Sequence, residues 1–178
     1  MATQTTPRRD DMAAAPIAPI IRTVQVKAPP ARAFELFTAR MSKWWGTGIG
    51  RQPLVDVVVE PRPGGRWFER DAEGNETQWG KVLAWEPPSR LLLAWQIGSD
   101  WAYDPALLTE VELTFVRAAD GGTVVSLEHR NLERFGRDAA GHAGRLGGGW
   151  PAKLGAFAAH ADTGATVAPD SSCPTSST

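Results

Sequence analysis

Apolar and polar residues alternate from Ile20 to Lys27. Ile20, Arg22, Val24 and Val26 fall on one face, and Ile21, Thr23 and Gln25 on the other. This period of two predicts a first strand. Pro29-Pro30 ends it, and Pro30 suits the first turn of a helix. The period then lengthens. Phe34, Phe37, Met41, Trp44 and Trp45 recur at helical spacing, which predicts one bent helix or two short ones over 31–45. Gly46, Gly48 and Gly50 predict a loop. Six more strands follow: Leu54–Glu60, Arg66–Arg70, Thr77–Trp85, Arg90–Ile97, Leu107–Val116 and Thr123–Arg130. Clusters of Pro, Gly, Asp and Asn separate them, among them a hairpin turn at Asp120-Gly121-Gly122. The last element is a helix after Gly147-Gly148-Gly149, read as a flexible lead-in. In it, Trp150, Leu154, Phe157 and Ala158 form one apolar stripe, Pro151 suits the first turn, and Gly164 can cap the end.

The order is strand, short helices, six strands, helix. That predicts an α+β fold with an antiparallel sheet and helices on one face. A sheet curved around one C-terminal helix leaves a concavity wherever the helix does not fill it. Residues 1–18 and 162–178 are rich in small, polar and proline residues without periodicity. Both are expected to be disordered tails around a single domain at 19–161.

Composition narrows the function classes. Net charge is −1, from 19 basic and 20 acidic residues, which gives no footprint for nucleic acid. No stretch approaches the length of a membrane span, and no secretory or transit signal is evident, so the expected location is cytoplasmic. The one cysteine, Cys173, excludes an internal disulfide and a Cys-rich zinc site. Phosphate-loop, nucleophile-elbow and paired-histidine metal motifs are missing, so neither a metal nor a cofactor is expected. The outlying feature is eight tryptophans beside one tyrosine. Trp67, Trp79, Trp85 and Trp95 all fall in the strand region. Indoles offer large apolar faces with one donor, and suit either an awkward core or the wall of a cavity.

Several segments resemble a known family in order and spacing: VQVKAPPARAFELFT, SKWWG, PRPGGRWFE, WGKVLAWEPPSRLLLAW, TEVELTFV, GGTVVSLEHRNLERFG and GGWPAKLGAFA. Together they resemble the AHSA1-like (activator of Hsp90 ATPase homologue) branch of the START/Bet v 1-like SRPBCC superfamily. The resemblance implies a helix-grip fold: a seven-stranded antiparallel sheet around a long C-terminal helix, with two short helices after the first strand. It also implies a ligand cavity more strongly than any one reaction. The co-chaperone that names the family carries an additional N-terminal domain where this sequence has residues 1–18, which weakens an Hsp90-type partner without removing it. Homodimerisation stays open.

The candidate site residues follow from strand faces. Val125, Leu127 and His129 share one face, and Val111, Leu113 and Phe115 share one on the neighbouring strand. If these face the helix, His129 points into the cavity near its rim. There it could bind a ligand oxygen or act as an acid or base. The alternative is a half-exposed strand-end histidine. Glu69 shares a face with Trp67 and could bind a ligand hydroxyl or abstract a proton, unless a bulge at Gly64-Gly65 changes its side. Glu110, Glu112, Glu128 and Arg130 read as a solvated convex face. Trp101 and Tyr103 lie in a loop able to cover a cavity mouth. The expected ligand site therefore comprises Trp67, Glu69, Trp79, Trp95, Leu113, Phe115, Leu127, His129, Trp150 and Leu154, for an apolar or aromatic small molecule. A cyclase, dehydratase or hydrolase acting on such a molecule is the alternative, with no catalytic residue assigned.

Overall fold

All seven alternating stretches become strands. The computed structural model describes residues 16–50 and 53–163. In chain order it contains β1 (Ile20–Val26), α1 (Pro30–Thr38), β2 (Leu54–Val59), β3 (Arg66–Asp71), β4 (Glu76–Glu86), β5 (Arg90–Trp95), β6 (Thr109–Arg117), β7 (Thr123–Arg130) and α2 (Ala139–Thr163). A 3₁₀ turn at Met41–Lys43 follows α1, so the predicted bent segment is two short pieces. A second 3₁₀ stretch, Leu132–Asp138, precedes α2. The strands form one antiparallel sheet in the order β1-β7-β6-β5-β4-β3-β2. Gly121, at φ 89°, makes the tight β6–β7 turn in a left-handed conformation that a side chain would disfavour.

The sheet packs its concave face on α2 and α1. Leu113, Phe115, Val125 and Leu127 meet Phe34 and Phe37 from α1 and Trp150, Leu154 and Phe157 from α2, and all of them are buried. Phe37 lies 5.0 Å from Phe157 and 5.8 Å from Phe115, ring to ring. The convex face carries the predicted charges. Arg130 reaches Glu110 and Glu112, and Arg90 reaches Glu86 and Glu112. Arg66 stacks over Phe68 at 4.2 Å, covering that ring on the outer side.

The final helix differs from expectation. It runs 25 residues from Ala139, so Gly147-Gly148-Gly149 lie inside it and do not lead into it. Each glycine costs a helix about 1 kcal/mol relative to alanine, and burial overrides that cost here. The buried stripe begins well before the glycines, with Ala139, His142, Ala143, Leu146, Trp150, Leu154, Phe157 and Ala161. Pro151 is likewise internal. It lacks the N–H that would bond the Gly147 carbonyl four residues back. Arg22 of β1 supplies the missing donor, its Nη2 lying 2.9 Å from that oxygen.

The expected tails, with Gly164 and Cys173, lie outside the described residues except for 16–18 and 162–163. Ile17 rests on the core, and Asp162 and Thr163 form the last turn of α2. Among the described residues, no helix is long and apolar enough to cross a membrane, and no cluster of His, Cys, Asp or Glu is arranged to hold a metal ion.

Candidate functional site

The open space lies at one end of the concavity, not along its floor. The floor is filled. Phe37, Met41, Trp45, Trp67, Leu93, Val111, Leu113, Leu127 and Trp150 close on one another with no room for a water molecule. Beyond them a cleft of about 440 Å³ opens between Trp45, Thr47, Gly48, Ile49, Trp79, Trp95, Ile97, Trp101 and Lys153. A smaller hollow of about 90 Å³ continues it along α2, past Arg145, Leu146, Gly149 and Trp150. The two share Trp45, Trp95, Trp101 and Lys153.

Local backbone features aim the indoles. Trp67 pairs with Gly80 and Phe68 with Gln78, leaving Trp79 as an extra residue bulged out of β4. A second bulge leaves Leu83 unpaired between Val82 and Ala84. Trp79 therefore points inward while Lys81 is exposed, and Trp85 turns to Phe34 at 5.0 Å. Trp79 meets Trp45 at 5.0 Å and Trp67 at 5.5 Å. The Nε1 atoms of Trp67 and Trp79 are buried without a hydrogen-bond partner among the described residues.

Glu69 is buried, but it does not line the cleft. Its carboxylate lies beneath the 46–50 strap and accepts the backbone N–H groups of Ile49 (2.9 Å) and Gly50. The glycines are a steric requirement of this docking. A Cβ on Gly48 would lie 1.9 Å from one carboxylate oxygen, and one on Gly50 would lie 2.5 Å from the other. Glu69 therefore holds a wall of the cleft in place and is not free to abstract a proton from its contents.

His129 is also deeper than its expected position near the rim. It is fully buried, and its hydrogen bonds define a single proton order. Trp150 Nε1 can only donate, and it faces His129 Nδ1 at 3.3 Å. His129 Nε2–H then donates to Thr109 Oγ1 at 2.9 Å, and Thr109 donates to the Trp95 carbonyl at 3.1 Å. Burial, with a smaller contribution from His142, lowers the imidazole pKa to about 3. This neutral ring ties Trp95 and Trp150, two walls of the site, to the sheet. It does not touch the open space.

Of the ten residues expected from the sequence, Trp79, Trp95 and Trp150 line the openings. Trp67, Leu113, Phe115, Leu127 and Leu154 pack in the filled core, and Glu69 and His129 support the walls. Periodicity gave no sign of Trp45, the strap, Ile97 or Lys153 as lining. Trp101 does stand at the mouth. It is 44 % exposed, has φ 60°, and its ring lies 5.3 Å from His142 behind it. Lys153 Nζ donates to the Trp45 carbonyl and sits 4.8 Å from the centre of the Trp45 ring.

Comparison with known proteins places this architecture. The family described as activator of Hsp90 ATPase homolog 1-like protein matches residues 27–162. The chain belongs to that family. Within the AHSA1-like fold, a solved anthrahydroquino-gamma-pyrone synthase, Txn09, is 35 % identical with a TM-score of 0.59. That match covers 81 % of this chain and 97 % of the synthase. The self-sacrificing resistance protein CalC of Micromonospora echinospora is 27 % identical with a TM-score of 0.63, covering 84 % and 97 % of the two chains. The Aha1 dimer of Colwellia psychrerythraea is 16 % identical with a TM-score of 0.58, covering 83 % and 98 %, and shares the fold. No curated protein matches the sequence.

Proposed function

We propose that this AHSA1-like protein binds a planar aromatic small molecule in the cleft between the strap, Trp101 and α2. The observation that carries the reading is an opening of about 440 Å³ bounded by Trp45, Trp79, Trp95 and Trp101. That volume is in the range of small-molecule sites, whose walls are mostly apolar with a few placed polar groups. Indole faces give flat ligands offset-stacked or edge-on contact. The similarity to a synthase named for an anthrahydroquino-gamma-pyrone supports a fused-ring ligand. Tryptophan quenching and native mass spectrometry against a panel of anthraquinones, polyphenols and lipids test it. Saturable quenching with a one-to-one mass adduct for fused-ring compounds is expected. Absence of both across the panel would remove the proposal.

A second reading, cyclisation or dehydration of such a molecule, is favoured by the same 35 % identity to a synthase. The floor is closed and His129 is out of reach, so among the described lining residues proton exchange would fall to Lys153 at the cleft wall. Incubation with a bound polyketide separates the two readings. A binding protein returns it unchanged, and an enzyme returns a product with altered mass or spectrum.

A further inference from the structure

The cleft has one feature that an apolar ligand leaves unanswered. Among the described residues that line it, Lys153 is the only cation, and no carboxylate accompanies it. Glu69 lies near, but its oxygens are taken by the Ile49 and Gly50 amides beneath the strap. Arg145, at the adjoining hollow, is neutralised by Asp138 at 2.7 Å. Lys153 has no ion-pair partner among the described residues. Its hydrogen bond goes to the Trp45 carbonyl, which uses one of three ammonium donors. The Trp45 ring at 4.8 Å holds the ammonium against the wall. Burial disfavours the charged form and lowers its pKa, so the cation is held in a partly dry site with its compensation incomplete.

We infer that the ligand of this cleft carries an acidic oxygen, a carboxylate or ionised ring hydroxyl, that pairs with Lys153 Nζ while its fused rings lie among Trp45, Trp79 and Trp95. The inference rests on the proposed binding role and sharpens it, since it selects anionic over neutral aromatics. An acidic oxygen at the ring edge supplies the acceptor that the remaining ammonium donors lack. Charge-assisted hydrogen bonds of this type are about twice as strong as neutral ones. A neutral ligand of the same shape would leave the ammonium desolvated and only partly bonded.

The test uses a matched pair of probes, anthraquinone-2-carboxylate and anthraquinone-2-carboxamide, titrated into the full chain by calorimetry at neutral pH. The readout is the ratio of the two affinities. The wild-type protein should favour the carboxylate by roughly tenfold, the equivalent of one charge-assisted bond. Lys153→Met and Lys153→Gln should bring the ratio to about one, and Lys153→Arg should restore a preference for the carboxylate. Two neutral variants guard against one failing to fold. A wild-type ratio near one, with both probes bound, overturns the inference and leaves the cleft reading standing. So does a ratio that survives in a folded neutral variant. Binding of neither probe to the wild-type protein fails the cleft reading itself, and the inference falls with it.

Discussion

Stability should fall with acid in a way that traces to His129. The folded imidazole has a pKa of about 3, against an ordinary value of 6.5. Between those values the unfolded chain binds a proton that the folded chain refuses. Stability is therefore fully present above about pH 6.5 and declines as pH falls toward 3. Each pH step in that window costs about 1.4 kcal/mol. The loss reaches about 3 kcal/mol at pH 4.5 and about 4 kcal/mol at pH 3, a large share of a small domain's stability. The cause is visible in the bonding as well as the burial. A proton added to Nδ1 would confront the Trp150 N–H, which already points at that nitrogen. Urea unfolding of the wild type and His129→Gln, each at pH 7 and pH 4.5, isolates the effect. Carboxylates and His142 titrate in both proteins and largely cancel in the difference. The variant starts less stable, and its acid loss should be smaller than that of the wild type by about 3 kcal/mol. Equal acid losses, or an imidazole spectrum by ¹⁵N NMR showing protonation near pH 6.5 in the folded protein, would refute the reasoning.

Other outcomes follow from the same geometry. Trp101→Gly relieves the left-handed backbone but gives up the ring's packing on His142, so stability should change by less than about 1 kcal/mol while fused-ring ligands weaken severalfold, measured by thermal melts and titration. Glu69→Gln turns an amide donor toward one of the Ile49 and Gly50 N–H groups. It should cost about 2 kcal/mol and speed hydrogen exchange at those two amides. Pro151→Ala restores the N–H that the Gly147 carbonyl lacks and should raise stability by about 1 kcal/mol or more in urea unfolding. An unchanged midpoint would mean that the Arg22 bond already compensates in full.

The sequence resolved the sheet best where pairing is regular. In β6 and β7 the period of two runs unbroken, so Leu113, Phe115, Leu127 and His129 face inward as expected. Alternation fails along β4, where bulges at Trp79 and Leu83 each reset the face and leave no mark of an extra residue in the sequence. The start of α2 is hidden because its glycines weigh against a helix on propensity, although the buried stripe from Ala139 onward is present in the sequence. Lys153 gave no signal at all. On a helix it looks like any solvated lysine, and its setting comes from Trp45, distant in sequence. The depth of His129 depended on how far the 3₁₀ stretch and α2 close over the end of β7, which strand period does not report.

Six of the indoles form one connected chain of ring contacts: Trp44 to Trp45, Trp45 to Trp67, Trp79 and Trp150, and Trp95 to Trp67 and Trp150. At ring separations of 5.0–6.1 Å, these indoles should behave optically less as separate fluorophores than as one antenna. Excitation absorbed by any of them can pass to its neighbour before emission, so polarised emission should be scrambled even though the rings are rigidly held. A single molecule seated against Trp45 or Trp95 would then darken most of the protein's fluorescence, including rings it never touches. Quenching becomes a sensitive gauge of occupancy but says little about position, and locating the ligand falls to methods that see individual nuclei.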